Sequence, residues 1–199
     1  MSSPIRKGAW ILMTSLGWVI GFIFSMMIAD IFGLIHLDLF AIGSGMAAGV
    51  YFFQWLVLRK KLPVPLTWMW WGVFGIGVSF FVLSMARVLI ARIGYEIKLD
   101  GIPALVFIFL ATSIGGYLSG YFQYRKHFEE TLPGSKKWVS ATFLSWSISA
   151  LVIANYFSFW PMLNEVSPQL TLVLSFIFLF SGGPIIGYFT WRAQKAFII

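Results

Sequence analysis

Cysteine is missing from the whole chain, so there is no disulfide framework, no thiolate metal site and no cysteine nucleophile. Charge is nearly as scarce: Asp, Glu, Lys and Arg make up 11% of the 199 residues, against 59% apolar ones. That leaves too little polar surface to coat a water-soluble globule, and the mean hydropathy of +0.87 agrees. The bilayer has to act as solvent. Only two histidines occur, His36 and His127, and neither lies at mid-membrane depth, so histidine ligation of a haem or chlorophyll finds no support. No lysine is placed for a retinal Schiff base, and there is no Gly-x-Ser-x-Gly, no His-Glu-x-x-His, no P-loop and no pair of intramembrane aspartates. His36 and Asp38 share a short loop near Asp30, but the spacing carries no metal signature and a solvated loop is expected. The chain is therefore expected to have no catalytic residue, no metal and no cofactor, and not to be an enzyme.

What is present in quantity is long apolar runs. A spanning helix needs about 20 apolar residues, and six stretches qualify: Trp10 to Phe32, Leu39 to Leu58, Leu66 to Ile90, Ile102 to Tyr124, Trp138 to Trp160 and Leu170 to Trp191. A barrel of alternating strands is excluded, because these runs are continuously apolar and twice too long. The basic start, Met1 to Lys7, resembles a signal peptide, but the run after it is too long for one and is expected to be an uncleaved first span.

The formal charge of +7 does not point to nucleic acid, because the basic residues flank apolar segments and form no clustered groove. They mark topology. Arg6, Lys7, Arg59, Lys60, Lys61, Arg125, Lys126, Lys136, Lys137, Arg192 and Lys195 fall on one side, while Arg87, Arg92 and Lys98 fall on the other. The positive-inside rule then puts both termini in the cytoplasm. Asp30, Asp38, Glu96, Asp100 and Glu165 lie outside. Trp55, Trp68, Trp70, Trp71, Trp138 and Trp191 fall near the cytoplasmic boundary and are expected there as an interfacial belt. External turns are expected around Gly33, at Gly101 to Pro103 and at Pro161.

The chain also repeats itself. Gly116-Tyr-Leu-Ser-Gly120-Tyr-Phe-Gln-Tyr-Arg125 recurs as Gly183-Pro-Ile-Ile-Gly187-Tyr-Phe-Thr-Trp-Arg192, with a looser copy from Gly45 and Gly49 to Gln54, Trp55 and Arg59. The odd-numbered runs repeat as well: Trp10, Thr14, Gly17, Trp18 and Gly21; Trp68, Gly72, Gly75, Ile76 and Ser79; Trp138, Thr142, Ser145, Trp146 and Ser149. Steps of four, three and four return to one helix face. The expected fold is an all-α polytopic membrane protein in one domain, 1–199. Its six transmembrane helices form three tandem parallel-repeat hairpins, about 8–61, 66–127 and 137–195, in a pseudo-three-fold bundle.

Within that frame Gly45, Gly49, Gly116, Gly120, Gly183 and Gly187 are read as helix-packing positions, since close approach through small residues holds membrane bundles together. Gln54, Gln123 and Thr190 form a candidate polar ring or pore lining, if the first copy is shifted by two residues. Arg87, inside the external end of the third run, needs a partner, and Asp30 is at the matching depth, with Asp38 and Asp100 as substitutes. Pro184, after Ser181, Gly182 and Gly183, marks a helix break.

The pattern of Gly-x-x-x-Gly, then Gln54-Trp55-Leu-Val-Leu-Arg59 and a following tryptophan-led helix, resembles multi-span bacterial membrane proteins built from repeated hairpins of this kind. The resemblance implies a fold and no activity. The expected role is a non-catalytic integral membrane protein of the bacterial cytoplasmic membrane, a small subunit or packing partner of a larger complex. Its partners would be the lipid bilayer and other membrane subunits, with no nucleic acid. The alternative is a small transporter or channel with its path along the pseudo-three-fold axis.

Overall fold

The computed structural model describes residues 5–31, 38–92, 101–130, 132 and 134–195. They form six long helices: α1 (Lys7–Ile31), α2 (Asp38–Leu58), α3 (Thr67–Arg92), α4 (Gly101–Gln123), α5 (Lys137–Val166) and α6 (Pro168–Gln194). All six contain stretches long and apolar enough to cross a membrane, where helices satisfy every backbone group internally. Gly33 and His36 lie outside the described residues.

The ends of the helices follow local chemistry. A π-helical turn, Tyr124–Phe128, extends α4, and the N–H of Glu129 reaches back to the carbonyl of Tyr124 at 2.9 Å. Gly134 then turns the chain with φ of 82°, a left-handed value that glycine adopts without a side-chain clash. α5 does not stop at Pro161 as expected but runs on to Val166, so a single residue, Ser167, connects it to α6. Three features make that short link possible. The Ser167 N–H bonds to the Leu163 carbonyl of α5, its hydroxyl accepts from the Leu170 N–H of α6, and Pro168 at the first helical position has no N–H to satisfy. Pro184 does not break α6 either: the helix is continuous through it, with the ring on the exposed side.

The helices pack in chain order, α1 on α2, α2 on α3 and so on, and α6 closes the ring against α1. Small residues set the seams. A methyl group on Gly49 would meet the backbone of Gly17, and one on Gly45 would lie 2.5 Å from Ser25 Cβ, so α1 and α2 touch along a seam of glycines. Gly116 and Gly120 meet Trp146 and Val139 of α5, while Gly183 and Gly187 meet Ser15 and Ile11 of α1. The first glycine pair thus faces the preceding helix, and the other two pairs face the next helix round the ring. The outer surface carries Leu12, Phe24, Val82, Leu89, Leu172 and Ile177, exposed as lipid-facing side chains would be.

Candidate functional site

The repeated odd-helix positions turn inward. Every residue of the three stripes, from Trp10 to Gly21, from Trp68 to Ser79 and from Trp138 to Ser149, is buried. Trp68 and Trp138 accordingly leave the expected interfacial belt: both are fully buried, whereas Trp70 between them is 56% exposed. Two residues on from an inward position, a helix has turned through about 200°, which puts Trp70 outside.

Trp10, Trp68 and Trp138 meet in one layer. The Trp138 ring stands 6.4 Å from Trp10 and 5.7 Å from Trp68, and Phe128, brought in by the π-helical turn, lies 6.0 Å from Trp138 and 6.3 Å from Trp68. Edge and tilted contacts of this kind are favoured by the ring quadrupoles. Four aromatic rings therefore fill the interior at the end that carries the basic residues.

Gln54, Gln123 and Thr190 are all fully buried against that layer. Trp10 Nε1 donates to Thr190 Oγ1 at 3.0 Å, and Trp138 Nε1 donates to Gln123 Oε1 at 2.7 Å. The Gln54 amide nitrogen donates both to Thr14 Oγ1 and to Thr190 Oγ1, each at 3.2 Å. The orientation of that amide follows from the hydroxyls, which already donate to the carbonyls of Trp10 and Ile186 on their own helices and can only accept. Gln123 Nε2 goes to the Trp68 carbonyl at 3.3 Å. Gln54 and Thr190 are thus in direct contact, but Gln123 bonds instead to Trp138 and Trp68. The three do not form a closed ring around an open path. Gln54 Oε1 and Trp68 Nε1 are left without a hydrogen-bond partner.

A second layer lies deeper. Trp18 and Trp146 pack at 5.5 Å, and Tyr51 touches both Trp146 at 6.3 Å and Trp68 at 5.9 Å, which ties the two layers together. Trp146 Nε1 donates to the Tyr51 hydroxyl at 3.0 Å, with Ser119 Oγ 2.8 Å away, and Trp18 Nε1 donates to the Leu179 carbonyl at 2.9 Å. Gly72 leaves room for the Tyr51 ring, since a methyl group there would lie 2.6 Å from it. Tyr51 and Phe128 were not singled out by sequence reasoning. The available signal for Tyr51 is its place three residues before Gln54, on the same helix face.

Beyond the second layer is a chamber of about 310 Å³, lined from all six helices, with Trp18, Trp146, Phe80, Met46, Ile108 and Leu179 among its walls. Its one lining hydroxyl, Thr112, donates to the carbonyl of Ile108 on its own helix. The indole N–H groups of Trp18 and Trp146 are committed elsewhere, so the walls offer an apolar surface.

Asp30 and Arg87 are not brought together. Asp30 is exposed, Arg87 is partly buried, and among the described residues the recorded ion pair is Arg125 with Glu129. The substitutes Asp38 and Asp100 lie outside the described side chains. Among the described residues no three His, Cys, Asp or Glu side chains converge. The chain matches no protein-family model, no curated protein and no solved structure.

Proposed function

We propose that this chain is a non-catalytic integral membrane protein of the bacterial cytoplasmic membrane, a small subunit or packing partner of a larger membrane assembly, with both termini in the cytoplasm. The observation that carries this reading is the fate of Gln54, Gln123 and Thr190. They end in tight helix contacts under three indoles, and not on a water-filled passage. Interhelical bonds of this type contribute about 0.6–2 kcal/mol each in lipid, which suits a rigid packing unit. The finer symmetry belongs to the same proposal: three hairpins about a pseudo-three-fold axis, supported by the meeting of Trp10, Trp68 and Trp138 at one level.

One observation favours a second reading, a small carrier whose path follows the bundle axis. The apolar chamber is about twice the size of a cavity that holds benzene, so its solute would be uncharged and apolar. The Trp18 and Trp146 pair forms its floor and would have to move for passage.

Purification of the tagged protein in mild detergent or nanodiscs, with mass spectrometry of what accompanies it, tests the leading reading. A stoichiometric set of membrane proteins is the expected result. A lone protein that moves an apolar solute across reconstituted vesicles would overturn it in favour of the carrier.

A further inference from the structure

The outer surface carries a groove of about 790 Å³ between α4 and α5 at their basic end. Tyr117, Tyr121 and Tyr124 line one wall, with steps of four and three that keep them on one face. Tyr117 and Tyr121 stack with centroids 6.1 Å apart and planes 13° from parallel. The other wall is Lys136, Lys137 and Ser140, followed by Val139 and Phe143. With a rise of 1.5 Å per residue, the tyrosine stripe runs about 10 Å along the helix. The groove is therefore cationic at one end and aromatic or aliphatic at the other.

The charges around it are unevenly committed. Arg125 is engaged by Glu129, and Lys126 lies over the Trp71 ring at 5.4 Å. Glu130 is exposed and does not line the groove. Among the described residues no ion pair is recorded for Lys136 or Lys137, and both are exposed. They stand at the start of α5, whose first turn holds no acid. Cations there oppose the helix dipole, so an anion between them is favoured by both the ammonium groups and the helix.

We propose that this groove holds one anionic phospholipid of the adjoining leaflet, its phosphate between Lys136 and Lys137 and its upper acyl chain along Tyr121, Tyr117 and Phe143. Tyr124, the tyrosine nearest the lysine end in the sequence, lines the same groove, and amphipathic rings are most stable at headgroup level. A free phosphate would use the lysines alone and would leave the apolar end of the groove without a role. The proposal needs only that the chain is embedded in a bilayer, so it stands or falls separately from the subunit reading.

The test is native mass spectrometry of the detergent-purified full chain, titrated with phosphatidylglycerol or phosphatidylcholine. The wild-type chain is expected to retain phosphatidylglycerol preferentially. Each basic residue near an anionic surface is worth a factor of about five, so the double variant Lys136→Gln with Lys137→Gln should lose roughly thirty-fold in that affinity. Lys60→Gln with Lys61→Gln, in the other basic turn, should keep it, and Phe143→Ser should weaken retention with the lysines intact. Equal retention by the Lys136 and Lys137 variant, equal loss in the Lys60 and Lys61 control, or displacement of the lipid by millimolar inorganic phosphate would overturn the assignment.

Discussion

The indole N–H groups of the three meeting tryptophans have unequal fates, and that inequality can be measured. Trp10 and Trp138 each have a partner on a neighbouring helix, while Trp68 Nε1 has none. Replacement by Phe removes similar packing from Trp68 and Trp138, but only Trp138→Phe strands a buried acceptor, Gln123 Oε1. An unsatisfied buried polar group costs about 1–3 kcal/mol. Trp138→Phe should therefore destabilise the protein by about 1–2 kcal/mol more than Trp68→Phe, read as a difference in thermal midpoint in detergent. Asp30 and Arg87 give a contrasting case. Position along the spans implies matching depth, but depth says nothing of direction around the bundle, and α1 and α3 are separated by α2 in the ring. The effects of Arg87→Ala and Asp30→Ala on stability should add within about 0.5 kcal/mol, and recovery in the double variant would restore the pairing.

At the scale of the helix, the decisive features are spacing and phase. The odd-helix stripes were fully legible, because Trp, a small residue and Trp or Ile at steps of four, three and four must share a face. The glycine faces were legible only in part. Gly120 and Gly187 lie three residues before Gln123 and Thr190, whereas Gly49 lies five before Gln54. Two residues amount to about 200° of rotation, so with Gln54 inward the first glycine pair had to turn to α1. The interfacial reading of Trp68 and Trp138 failed for a related reason: in lipid both faces of a helix are apolar, and composition shows a residue's depth more readily than its direction. Gly49→Ala should push α1 and α2 apart and cost about 1–3 kcal/mol or more, since its methyl would overlap the Gly17 backbone. Gly8→Ala meets nothing within 4 Å and should be neutral or slightly stabilising through helix propensity. Thermal melts of the two variants check the contrast, and equal melting points would refute the seam.

For the molecule as a whole, six runs of apolar residues and their short links specified an all-helical membrane bundle with consecutive helices side by side, while the closing contact of α6 on α1 is made through the Gly183 and Gly187 face. Local backbone events were not legible: the π-helical turn at Tyr124–Phe128, the extension of α5 past Pro161 and the passage of α6 through Pro184 all depend on packing that no single segment encodes. The central claim is that the polar residues at the heart of the bundle are sealed from water by indoles. The natural absence of cysteine makes this directly testable, because any introduced thiol is the only one in the chain. Thr190→Cys should resist a membrane-impermeant thiol reagent applied from either side and react only after denaturation, while Lys60→Cys, in an exposed turn, should react at once from one side. Labelling of Thr190→Cys in the folded protein at a rate near that of Lys60→Cys would contradict the account, because it would mean that water reaches the layer the tryptophans are held to close.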